Sequence, residues 1–236
     1  MTPTDWAVCA DPTAMLTLLE GRVSERKLRL FACACCRAVG ELIWVAPCSQ
    51  AVETAERFAD GRADEAELQA DAKAAEDAMP LFADAHRAAA WSAVASAFDA
   101  AIGASHEAAR ASAIVAADPA EAQARAACVS GATEEDRKAA WDRYESILAA
   151  AFQARRQRQA QVLREIVGDP FTSPPADDWP LTVCQLAEAM HAGEDCAFAL
   201  HDALLDMGRS DLAEHFQPGS EHPLGCWAVD LIRGVG

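Results

Sequence analysis

Three cysteines, Cys33, Cys35 and Cys36, fall within four positions of the stretch LRLFACACCRAVG. On a helix Cys33 and Cys36 share a face and Cys35 points elsewhere. Two thiolates at that spacing can supply half of a tetrahedral zinc site. The other half must come from a distance, and Cys9, Cys196, His201, His222 and Cys226 offer suitable donors. The set Cys33, Cys36, Cys226 and His222 is the metal centre this reading nominates, with zinc as its ion. Packing competes with it. A free cysteine behaves as a small hydrophobe. The cluster is flanked by Leu28, Leu30, Phe31 and Val39, and it holds one C-x-x-C pair inside a helix, where strong zinc signals show two pairs on turns. Packing is therefore the expected role, and no cofactor is required. A thioredoxin-like reaction needs the thiol at a helix start, where the helix end lowers its pKa. Cys33 sits about two turns inside the helix expected here.

Other spacings point less sharply to chemistry. Glu188 and His191 form a single E-x-x-H, whereas di-iron bundles carry two. Asp84 with His86, His106 with Glu107, and Glu56 with Asp60 read as ordinary helix faces. No G-x-S-x-G, H-E-x-x-H, P-loop or G-x-G-x-x-G occurs, so no catalytic residue is assigned. Two features could meet a partner. Arg155, Arg156, Arg158 and Arg164 concentrate positive charge in an acidic chain. The tail GCWAVDLI gathers Trp227, Val229, Leu231 and Ile232 into an apolar knob. Arg155, Arg158 and Trp227 are the candidate partner contacts. The expected role of the knob is to dock on its own chain and close the core, with Gly225 allowing a close approach and Asp230 pairing with an arginine of the head; partner binding is the alternative.

The elements that must position these residues are helical. Asp11–Pro12, Ser24 and Thr133 read as helix starts, and Gly21, Gly61 and Gly131 as stops. Pro47 is expected to end the cysteine helix near Val45, with a new helix from Ser49. Asp64 and Glu67 suggest a capping box. A long alanine-rich helix is expected from Leu81 to about Ala117, a restart at Asp118–Pro119, and a second long helix from Thr133 to about Val167. Alanine supplies 37 of the 100 residues from 51 to 150. Phe82, Trp91, Phe98, Ile102, Trp141, Ile147 and Phe152 are the expected large anchors. After a proline-rich linker at 168–180, Thr182 and Gln185 reopen a helix, and three short helices follow. No period-two strand pattern is present. The expected fold is all-α: long antiparallel alanine-rich helices with short N- and C-terminal helices packed alongside. Residues 1–171 would form the head and bundle, and 172–236 a short-helix segment packed on the head as one compact unit.

Charge narrows the function classes. Twenty basic against 37 acidic residues give a net charge of −17. Such a surface repels phosphate backbones, so direct nucleic-acid binding is not expected, while a basic protein partner suits it. No basic leader precedes an apolar run, and no run is long enough to span a membrane. Nine cysteines without an export signal indicate a reducing cytoplasm.

The head ERKLRLFACACCRAVGEL, followed by AVETAERFADG, and the tail LREIVGDPF ending GCWAVDLIRG resemble a large paralogous family of uncharacterised bacterial proteins. The resemblance covers residues 1–62 and 160–236. It implies that head and tail form one unit around a variable helical middle, and it carries over no activity and no catalytic residue. The expected function is a non-catalytic, acidic, helical interaction or regulatory module. The alternative is a zinc- or iron-dependent or thiol-based enzyme using Cys33 and Cys36 with tail Cys and His residues.

Overall fold

A computed structural model of the chain describes residues 1–78, 84–94, 96–172 and 178–235. Among the described residues the fold is all-α, with twelve helices and no strand. The head holds α1 (Pro3–Val8), α2 (Pro12–Leu19), α3 (Glu25–Arg37), α4 (Ala46–Ala59) and α5 (Glu65–Ala78). The short α6 (Asp84–Ser92) leads into α7 (Ala97–Val129) and α8 (Glu134–Val167), which pack along one another. The tail holds α9 (Leu181–His191), α10 (Ala197–Asp206), α11 (Ser210–Ala213) and α12 (Trp227–Arg233), with a 3-10 turn at Glu214–Phe216.

Local chemistry explains most boundaries. Asp11 caps α2 through the Thr13 amide, Ser24 caps α3 through Lys27, and Thr133 forms a reciprocal capping box with Asp136 at the start of α8. Two prolines act otherwise than expected. Pro47 lies in the first turn of α4, which starts at Ala46, and α3 has already ended at Arg37. A proline is tolerated there because that amide has no helical partner anyway. Pro119 lies inside α7, which continues to Val129. The carbonyl it deprives belongs to Val115, an exposed residue, so water can serve it. The expected 81–117 helix is instead broken after α6, and Ser96 caps α7. Pro180, not Thr182, stands at the start of α9, without a side-chain cap. Phe82 lies outside the described residues.

Alanine, rather than the large anchors, fills the seam of the long helices. Ala100, Ala101, Ala104 and Ala108 are wholly buried, whereas Trp91, Phe98, Ile102, Trp141, Ile147 and Phe152 are only half-buried. Small side chains let backbones approach. At Gly103 a β-carbon would sit 2.2 Å from the Trp91 ring, so the indole lies on bare helix backbone. The buried apolar residues form two clusters, one from Trp6 through α3–α8 and one from Val183 to Ile232. No helix among the described residues is long and apolar enough to cross a membrane.

Candidate metal centre

The seam between head and tail is an ionic knot around Asp230 of α12, which is 1% exposed. Lys27 Nζ donates to Asp230 at 2.5 Å and to the Gly225 carbonyl at 2.7 Å. Arg26 donates to Asp230 at 2.6 Å and to Asp60 at 2.8 Å. His191 Nε2 lies 2.9 Å from Asp60, and Arg233 reaches Asp230 at 3.4 Å. An unpaired buried carboxylate would be costly, so these cations fix where α12 begins. Gly225 adds a steric requirement. Its φ of +83° suits glycine, and a β-carbon there would lie 2.5 Å from Leu30 Cδ1. The expected close approach at Gly225 and the expected pairing of Asp230 with a head arginine are both observed.

This placement puts Cys226, the residue before α12, beside two imidazoles. His215 comes from the 3-10 turn, anchored by the fully buried Phe216. His222 comes from the loop after it. His215 Nε2 lies 3.0 Å from Cys226 Sγ, and His222 Nδ1 lies 3.9 Å from the same sulfur. One donor atom from each residue falls within 4.8 Å of the others. The two rings are tilted, with centroids 5.0 Å apart. Glu165 of α8 brings a carboxylate oxygen to 3.6 Å from His215 Nε2. His222 Nε2 is buried and has no hydrogen-bond partner. The group borders a cleft of about 750 Å³ lined by Arg158, Glu165, Glu214, Glu221 and both histidines.

The electrostatics favour neutral groups. Burial, aided by the nearby His222, holds His215 down to about 4. Burial also lowers His222 and pushes the Cys226 thiol up to about 11. Neutral imidazoles have free lone pairs, and a cation at this point would replace the thiol proton. In a tetrahedral zinc site, nitrogen and sulfur ligands stand roughly 3.3–3.6 Å apart. The observed 3.0 and 3.9 Å bracket that spacing.

The nominated set is therefore divided. His222 and Cys226 come together, but their third companion is His215. Cys33 and Cys36 join no metal-type group among the described residues. Both are buried in the α3–α8 core with Cys35, and burial raises all three thiols. Cys33 Sγ faces the Val52 carbonyl at 3.9 Å. Arg29 and Arg37 share the Cys33 face, and Ser92 hydrogen-bonds Cys36, but none of these adds a metal donor, so this half of the nominated centre packs as core. The spacing H-x6-H-x3-C over residues 215–226 was the available signal, with Pro218–Gly219 as the turn that folds it back.

The remaining candidates have other partners. Cys9 reaches the Asp11 carbonyl, and Cys196 the Leu186 carbonyl. Glu188 pairs with Arg233, so it parts from His191. His201 pairs with Asp202. His86 Nε2 accepts from the Trp44 and Val45 amides, and Asp84 pairs with Arg87 and Arg110. Glu56 pairs with Arg37, and His106 meets Glu107 at 3.9 Å.

The arginine patch divides too. Arg156 is buried and bonds Asp11 and Thr13, while Arg164 bonds the Trp6 and Cys9 carbonyls. These two tie α8 to the head. Arg158 pairs with Glu221 at the cleft rim. Trp227 is half-buried against Gly168, where a β-carbon would come within 2.9 Å of the indole. All nine cysteines are free thiols. No protein-family model, curated protein or solved structure matches the chain.

Proposed function

We propose that this is a metal-binding helical protein whose His215, His222 and Cys226 hold a zinc ion. One observation carries the reading. Three donors, from the 3-10 turn, the loop after it and the residue before α12, converge within 4.8 Å of one another. Two imidazoles and a thiolate suit zinc, whereas magnesium and calcium take oxygen ligands. The ion would join α12 to the 3-10 turn and the 217–223 loop beside α8. Competition against a chromophoric chelator tests this. The expected result is one zinc per chain, with affinity at least tenfold weaker in His222→Ala and in Cys226→Ser. A wild-type chain that competes no better than these variants refutes it.

A second reading concerns the far ends of the long helices. No residue from 125 to 155 is buried, although residues on either side are. Over 118–145 the arm carries seven acidic and four basic residues. We infer that it presents an acidic helical surface to a basic protein segment, as a regulatory module of the cytoplasm and a member of the bacterial family that its head and tail resemble. An arginine-rich peptide should bind, weaken with salt, and lose affinity in Glu134→Lys/Glu135→Lys. Salt-insensitive binding, or none, would remove this reading.

A further inference from the structure

The metal reading leaves one coordination position to explain. Zinc is held by four protein ligands in structural sites, and by three plus an exchangeable molecule in sites that do chemistry. Here three donors converge. Glu165 is the nearest further donor, at 3.6 Å from His215 Nε2, but it does not join the group whose atoms all lie within 4.8 Å of one another. Beyond the donors lies the cleft of about 750 Å³. That is many times the roughly 30 Å³ share of a water molecule. The cleft walls carry the carboxylates of Glu165, Glu214 and Glu221 against one guanidinium, Arg158, which is already paired with Glu221.

We propose that the ion held by His215, His222 and Cys226 keeps one open position facing this cleft, which takes a small neutral nitrogen or oxygen donor from solution and disfavours anions. The inference rests on the metal reading and deepens it. With Glu221 paired to Arg158, the carboxylates of Glu165 and Glu214 leave the cleft wall net negative, which raises the cost of bringing an anion to the ion. A neutral donor carries no such cost. Glu165 then stands beside the bound molecule as a hydrogen-bond acceptor rather than as a ligand.

Cobalt(II) substitution of the full chain tests this, because visible absorption of cobalt reports its coordination. Imidazole should change the spectrum and saturate at one equivalent per cobalt. Azide should require a higher concentration, and Glu214→Gln/Glu221→Gln should strengthen azide binding at least threefold while leaving imidazole binding unchanged. Glu165→Gln should still bind one cobalt. A four-coordinate spectrum indifferent to imidazole, or loss of cobalt from Glu165→Gln, would show a closed site and overturn the inference while leaving the metal reading standing. A chain that takes up no cobalt or zinc at all would overturn both.

Discussion

The three cysteines of α3 and the single cysteine that opens α12 are equally shut from solvent, at 0–2% exposure, yet their surroundings differ. Cys33, Cys35 and Cys36 are buried in the larger core and join no metal-type group among the described residues. Cys226 sits at the rim of the smaller core, 3.0 Å from one imidazole and 3.9 Å from another. The first setting treats sulfur as a volume. The second offers it partners that are as able as itself to bind a cation. The dense motif on α3 brings no second pair of ligands, whereas the lone cysteine before α12 has two imidazoles beside it.

The comparison can be broken first at the knot that holds Cys226 in place. Asp230→Ala would leave Lys27 without its buried carboxylate and Arg26 with Asp60 alone, and should lower stability by about 3–5 kcal/mol in urea denaturation. A loss under about 1 kcal/mol would mean that the ionic knot does not fix the tail. Next, zinc at about a thousand times its dissociation constant should stabilise the chain by about 4 kcal/mol. That gain should vanish in Cys226→Ser and persist in Cys36→Ser.

A pH test sharpens the same contrast in the metal-free chain. His215 titrates at about 4 when folded and near 6.5 when unfolded. The unfolded chain therefore binds the proton first. Stability should be complete above about pH 6.5 and fall as pH drops towards 4, by on the order of 3 kcal/mol from this residue. His86, His191 and His222 are shifted the same way by burial. A urea midpoint that stays constant between pH 7 and pH 4.5 would contradict this. Smaller still is the cost of Cys36→Ser, about 1 kcal/mol because Ser92 stands by to hydrogen-bond the new hydroxyl, with no change in metal content. Smallest is Arg158→Ala, within about 1 kcal/mol because the Glu221 pair is exposed, whereas Arg156→Ala should cost more.

Helix starts were readable because a cap is a local event. Asp11, Ser24 and Thr133 each satisfy amides two or three residues away. Prolines are less informative, since a proline marks a break by the same signal whether it ends one helix or begins the next. Pro47 begins one, and Pro119 is absorbed where its orphaned carbonyl lies on an exposed side. The pairing of Asp230 with a head arginine was foreseeable from charge alone in a tail otherwise apolar. His215 is legible only through the H-x6-H-x3-C spacing, which converges because the chain reverses at Pro218–Gly219 and Lys27 draws the Gly225 carbonyl towards α3. Spacing on one helix pairs Cys33 with Cys36 but does not bring the second pair of ligands.

Elemental analysis of the untagged chain, loaded with zinc and then desalted, tests the central claim most directly. The account predicts about one zinc per chain in the wild type and in Cys36→Ser, and none in Cys226→Ser. A metal-free wild type, or loss of zinc from Cys36→Ser with retention in Cys226→Ser, would contradict it.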